Sequence, residues 1–375
     1  MNKRLLSLAL GAALAAGSLA AQAGVKIGGY ANVSVDQLNG GTAYNPLTGK
    51  GGSGSFVSSN ASNIVVTGTA GLGDGLTGIV SVQSFLSLGS DTSGAPISSV
   101  NDVLGGGDAY AGLKGGWGMI AAGRNDSPMK ILGRQLDLFG NEIGDSRNLI
   151  SGDGAGVSTT GFDQRPGHTV FYVSPKLADL VARLAYTAEN SAAAGVPASA
   201  SGKAIVDDFS VTYNNGPMMG GVAYEVHSMN TYAGATAAER AWRLGGSFNM
   251  SPVRVVALWQ NDRNLGGISG DNLNVWGVGA GVALPGVSML GHNTIKVQYY
   301  KTAGVSGHPN SGAHMLDVGL DHAISHRATV YLDYSKVGNE SGATYSDFGG
   351  GHGNVVPVAA GSSPHAVSAG MILTF

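Results

Sequence analysis

The chain has 375 residues, with 62 Gly, no Cys, 12% charged residues and a formal net charge of −3. Without cysteine it is not a disulfide-stapled secreted domain, and beyond its N-terminal segment no run approaches the roughly 18 apolar residues of a spanning helix. There is no basic excess, so no nucleic-acid partner is expected.

Met1 to Ala23 begins with Lys3 and Arg4, continues as an apolar stretch from Leu5 to Ala16, and ends in the small-x-small site Ala21-Gln22-Ala23. This predicts a secretory signal cut after Ala23. As a membrane anchor, the apolar run is too short to cross about 30 Å of hydrocarbon. Removal of residues 1–23 takes away two of the 21 basic residues, leaving 19 against 24 acidic, or 19 − 24 = −5. In lipid, only helices and closed barrels satisfy every backbone group. Residues 24–375 are therefore expected to form one all-β domain, a transmembrane antiparallel β-barrel.

The alternation that a barrel requires begins at Val25–Asp36. Val25, Ile27, Ala31, Val33 and Val35 take the lipid side, and Lys26, Tyr30, Asn32, Ser34 and Asp36 the lumen side. Further strands are expected at 61–72, 76–88, 108–115, 117–124, 167–175, 178–188, 205–214, 218–229, 239–250, 252–262, 272–284, 293–303, 312–324, 327–338 and 364–375, about 16 in all. Short turns fall at Gly73-Asp74-Gly75, Gly115-Gly116, Pro175-Lys176, Asn215-Gly216-Pro217 and Ser251-Pro252. Between them lie long Gly/Ser/Asn-rich loops at 38–60, 89–107, 125–166, 189–204, 230–238, 263–271, 304–311 and 339–363. Short connections at one rim and long ones at the other are expected of outer-membrane barrels, with both termini on the short-turn side. Trp117, Trp242, Trp259, Trp276, Tyr172, Tyr186, Tyr213, Tyr224 and Tyr334 read as interfacial girdles.

The last strand places Val367, Ala369, Met371, Leu373 and Phe375 on one face, and the chain stops on the aromatic. Its pattern Ser368-x-Gly370-x-x-Leu373-x-Phe375 resembles the terminal signal by which outer-membrane barrels are recognised for insertion. Gly370, Leu373 and Phe375 are thus the expected assembly signal, with the barrel assembly machinery as partner.

Three motifs carry a wider resemblance. Ala122-Gly123-Arg124 leads into the longest loop, Leu138-Phe139-Gly140-Asn141-Glu142 lies within it, and Val170-Phe171-Tyr172-Val173-Ser174-Pro175 occupies the following strand. With the whole mature chain, they resemble the trimeric Gram-negative general porins of the neisserial and β-proteobacterial type. The resemblance implies sixteen strands around water, a homotrimer in outer-membrane lipid, and a third loop, here Asn125–Pro166, folded into the lumen. The family usually places Arg and Asp where this chain has Phe171 and Val173, so polarity at that point of the lumen is expected to be reduced.

A pore discriminates through charges facing its narrowest point. The long loop carries Asp126, Asp137, Glu142, Asp145, Asp153 and Asp163 against Lys130, Arg134, Arg147 and Arg165, or 4 − 6 = −2. Alternation predicts Lys26, Arg124, Arg183, Arg243, Arg254 and Lys296 on the inner wall. The expected constriction sets Asp137, Glu142 and Asp145 against Arg124, Arg183, Arg243 and Arg254, with Asp317, Asp321 and Asp333 as ordinary lumen solvation. No nucleophile and base share one height, so no enzyme is expected, and neither is a cofactor. No metal site is expected, because alternation separates Asp321 from His322. The leading function is passive diffusion of ions and small hydrophilic solutes. A substrate-selective channel and a non-conducting structural or adhesive barrel are the alternatives.

Overall fold

A computed structural model describes residues 23–89, 104–157, 159, 161–188, 205–228, 236–284 and 291–375. The expected signal residues 1–22, and much of the loops expected at 89–107, 189–204 and 230–238, lie outside them.

Among the described residues the strand segments are β1 (Ala23–Asn39), β2 (Ser53–Ser59), β3 (Asn63–Gly73), β4 (Leu76–Phe85), β5 (Ala109–Gly115), β6 (Gly118–Arg124), β7 (Thr169–Val173), β8 (Leu180–Thr187), β9 (Ile205–Asn215), β10 (Met218–Ser228), β11 (Glu239–Met250), β12 (Val253–Arg263), β13 (Leu273–Leu284), β14 (His292–Thr302), β15 (Ala313–Ser325), β16 (Ala328–Asn339) and β17 (His365–Thr374). Sequence neighbours pair antiparallel except β2 with β3, and β1 returns to β17 with Tyr30 opposite Thr374 and Asn39 opposite His365. β2 and β3 both pair with β1, β2 along Val33–Asn39 and β3 along Ala23–Tyr30. They are two halves of one strand, so the 17 segments form 17 − 1 = 16 barrel strands.

β2 was expected to be loop, because Ser53-Gly54-Ser55-Phe56-Val57-Ser58-Ser59 is dominated by turn residues. It is a strand because the long β1 presents a ladder that it completes. The break at Asn60–Ser62 includes Ala61 at φ 50°, and the Asn60 side chain bonds Ser34 Oγ at 2.8 Å.

Alternation sorts the two faces. On β12, Val255 and Trp259 are exposed outward at 43% and 40%, whereas Val256, Leu258 and Gln260 are buried inward. Exposed apolar rows are the lipid band of a spanning barrel. The expected girdle tryptophans all lie among the exposed residues.

Closure depends on the last residue. Gly29 N–H donates to the Phe375 carbonyl at 2.9 Å, and Phe375 N–H donates to Gly29 at 3.1 Å. The Phe375 ring lies over Gly29, where any Cβ would overlap it. Glycine is required there because an aromatic from the neighbouring strand occupies the space. A Gly29→Val exchange imposes about 1–3 kcal/mol of overpacking at the seam. It should lower the folded, heat-modifiable fraction on a gel, as should deletion of Phe375. Channels that do insert should keep wild-type conductance; abnormal conduction with normal insertion would refute an assembly role.

Candidate functional site

Residues 125–168, between β6 and β7, enter the barrel rather than leaving it. Ser127 caps a helix at Pro128–Arg134, its Oγ accepting from Lys130 N–H at 3.2 Å with Pro128 in the first turn. Met129, Leu132 and Leu136 form one stripe and are fully buried. Leu132 sits in the space where Gly221 of β10 lacks a side chain, Leu136 in that of Gly245 of β11, and Leu138 against Gly279 of β13. At Gly319 of β15 the missing side chain leaves room for Asp333 and Lys296 first and for the Phe139 ring beside them. The inner wall thus has glycine notches that accept the loop's apolar side chains.

Around these notches the inward rows mix apolar residues with buried polar ones such as Glu225, Arg243, Gln260 and Lys296. Ala223, Ala241, Leu258, Val275, Tyr300, Met315 and Val337 join the loop residues Leu149, Ile150 and Phe162 in one buried cluster. Backbone bonds lock the path of the loop. Asp208 accepts from Met129 N–H at 2.9 Å, Gln298 bridges Leu138 N–H and the Gly144 carbonyl at 3.2 and 2.7 Å, and Gln260 donates to the Ile150 carbonyl at 2.9 Å.

Charged residues complete the docking with partners different from those expected. Arg243 is fully buried and forms a two-pronged pair with Asp163 at 2.9 and 2.8 Å. Glu142 pairs with Lys296 of β14 at 2.5 Å and not with an arginine. Lys296 also holds Asp321 at 3.0 Å and Asp333 at 3.5 Å. Asp317 and Asp333 are buried behind the loop, so they are not solvated lumen charges. Arg254 donates to the Gln135 carbonyl at 2.9 Å, and Arg183 donates to Thr212 Oγ1 at 3.3 Å. Arg124 does not face the lumen as expected. It pairs with Ala109 on the row of exposed Ile120 and Ala122, because its neighbours Gly123 and Asn125 give no apolar alternation to judge by.

Asp137 and Asp145 do not oppose a basic wall either. Asp145 binds Arg147 within the loop at 2.6 Å. Asp137 accepts from Phe139 N–H at 3.0 Å and from the N–H and Oγ of Ser146 at 3.0 and 3.1 Å. Burial, then the neighbouring Asp145 charge, pushes the Asp137 carboxyl up to about 7.

A second segment, residues 340–364 between β16 and β17, also folds inward. Gly144 N–H donates to the Asp347 carbonyl and Thr344 N–H to the Gly154 carbonyl, both at 2.8 Å. His352 Nε2 lies 3.1 Å from Asp36 of β1, and Asn354 donates to Ser58 Oγ at 2.9 Å. Phe348 completes a small cluster with Leu38, Ile143 and Ala366.

The two loops cover the inner faces of β9–β17. The inner face of β3–β8 stays uncovered over Thr67, Gln83 and Lys114, and its buried Phe171 meets Tyr110 edge-on at 5.1 Å. Arg134, at the helix end, is exposed. It was read as a loop charge but not as a pore residue; only the buried Leu132 stripe shows which way it turns.

A Gram-negative porin family model matches residues 7–342. The chain belongs to this family. It is an outer-membrane β-barrel channel for passive diffusion of solutes. Among solved structures it is similar to the anion-selective porin of Comamonas acidovorans, with 20% identity, 94% of this chain and 100% of that one covered, and a TM-score of 0.74. It is also similar to the trimer form of Vibrio cholerae OmpT (12%, 94% and 99%, 0.62) and to Salmonella typhi OmpF in complex with daunomycin (14%, 94% and 97%, 0.61). No curated protein sequence matches the chain.

Two outcomes test the docked porin loop. Gly221→Val would overlap Leu132 and impose about 1–3 kcal/mol of overpacking. It should raise single-channel conductance and speed proteolysis within 125–168. Gly281→Ala, where a Cβ meets only the Thr294 methyl at 3.7 Å, should do neither. Because the Asp137 carboxyl is raised to about 7, its contribution to docking is complete below the ordinary carboxylate value and is lost as pH rises through about 7. Hydrogen-exchange protection of residues 137–146, corrected for intrinsic rates, should fall from about pH 5 to about pH 8.5, and Asp137→Asn should flatten that change.

Proposed function

We propose that this porin is a homotrimeric diffusion channel with anion preference, cut after Ala23 and built from residues 24–375. The observation that carries the preference is an imbalance of free charge. Lys26, Lys114, Arg183 and Arg254 on inner rows and Arg134 on the loop have no carboxylate within ion-pair distance among the described residues. The loop acids Asp126, Glu142, Asp145 and Asp163 are each paired with a cation, and Asp137 is held by hydrogen bonds. Asp153, the exposed loop acid, borders the pocket shared with Tyr345 and Ser346 of the second loop. Unpaired fixed cations raise the local concentration of anions in the narrow zone.

The Comamonas porin is described as anion-selective, the same sign as this imbalance. The constriction assigned here is Arg134 and Arg183, with Arg254, rather than Asp137, Glu142 and Asp145. The trimer rests on the family and on the small outer faces of β1 and β17, where Ala31, Val33, Val367 and Ala369 permit close approach. A trimeric mass in mild detergent is expected.

Reversal potentials across a salt gradient test the selectivity. Arg134→Gln and Arg183→Gln together should move selectivity toward cations, while Asp137→Asn should leave it unchanged at neutral pH. The arginine effect should fade with salt, since screening shortens from about 10 Å at 0.1 M to about 3 Å at 1 M. Cation preference in the wild type would overturn the assignment.

A further inference from the structure

The outward rows of β11–β16 end, at the long-loop rim, in cations that the channel does not use. Arg240 and Arg263 are exposed and stand directly opposite each other on β11 and β12. Lys301 of β14 faces His314 of β15, and Lys336 follows on β16. None of the lysines or arginines has a carboxylate within ion-pair distance among the described residues. Two acids lie nearby: Asp207 of β9, separated from Arg240 by Val226, and exposed Glu340 just past β16, whose carboxylate accepts from Gly312 N–H at 2.9 Å.

Like charges directly opposite on a sheet repel, so the Arg240–Arg263 pair is destabilising by itself. Arg263 is moreover oriented by Asn261 Oδ1 at 2.9 Å, and Asn261 by Asn274 at 2.8 Å. Immediately below the cations lies an aromatic belt. Trp242 and Tyr334 are two residues further into the membrane than Arg240 and Lys336, Trp276 is opposite Lys301, and Trp259 lies below Arg263. Tryptophan and tyrosine mark the boundary between hydrocarbon and headgroups, which puts the cations at headgroup depth.

We propose that this collar binds the phosphorylated headgroup of an outer-leaflet lipid, with one phosphate bridging Arg240 and Arg263 and further phosphate groups met by Lys301 and Lys336. Guanidinium forks suit phosphate, and a shared phosphate turns the repulsion into attraction. The proposal rests on the outer-membrane placement shown by the family and is independent of ion selectivity.

The test is native mass spectrometry of the full mature oligomer, with bisphosphorylated lipid A, its phosphate-free form and inorganic phosphate as probes. Wild type should retain the bisphosphorylated lipid. Arg240→Gln/Arg263→Gln should retain about 25-fold less, given roughly fivefold per basic residue near an anionic surface, and Lys301→Gln/Lys336→Gln should act likewise. Both double variants should keep the wild-type conductance and heat-modifiable gel shift. The lysine pair decides the matter if the arginine pair fails to assemble. Equal retention of phosphate-free lipid, or unchanged retention by the variants, overturns the site. Displacement by inorganic phosphate at matching concentration assigns it to free phosphate and overturns the lipid reading. A change in oligomer mass without a change in lipid retention assigns the collar to contact between copies and also overturns it.

Discussion

The docking of one loop against the glycine notches of the inner wall organises this channel. A barrel of sixteen strands is wide enough to stay open, and its backbone is satisfied by its ladders without any plug. The lumen becomes asymmetric because Leu132, Leu136, Leu138 and Phe139 meet wall positions where Gly221, Gly245, Gly279 and Gly319 leave room. Each buried leucine contributes about 2 kcal/mol relative to exposure, whereas an exposed ion pair contributes about 0–1 kcal/mol. The apolar contacts therefore supply most of the attraction, and the charges select the register in which it is realised.

The buried pairs show that selection. Arg243 with Asp163 and Lys296 with Glu142 are each removed from water, so much of their mutual attraction is spent on desolvation. Breaking either pair, however, would leave a buried charge at a cost of about 3–5 kcal/mol. The loop is thus held weakly for alternative registers and firmly for this one. The Gln298 and Gln260 bonds to loop carbonyls act in the same sense, because those carbonyls would otherwise be unpaired away from water.

Docking also redistributes the field. Pairing consumes most of the loop's carboxylates and two of the wall's cations, so the sign at the opening is not the sign of the loop's composition. A loop with a formal charge of −2 presents the exposed Arg134, whereas Asp126, Glu142, Asp145 and Asp163 are paired. The second inward segment, joined to the first through Asp347 and Gly144, thickens the covered side and leaves solutes the wall of β3–β8. The outer face follows the same arithmetic in reverse. There, Arg240 and Arg263 have no carboxylate within ion-pair distance among the described residues and face the surrounding medium.

Alternation and turn chemistry were legible in the residues because both are local. Side chains repeat with period two, and glycine or proline marks a turn whatever the rest of the molecule does. The strand count, the closing aromatic Phe375 and the long third loop could therefore be read directly. Strand β2 could not, because its Ser/Gly-rich residues become a strand only beside the extended edge of β1. Nor could the constriction: Arg124 fell on the outer row, Asp137 turned into its own loop, and Arg134 emerged as the exposed charge. Which carboxylate meets which cation depends on contacts between residues as distant as Glu142 and Lys296. The sequence determined which charges exist and which strand face most of them occupy. Only the tertiary structure decided which are cancelled and which remain, because cancellation requires two side chains within a few ångströms.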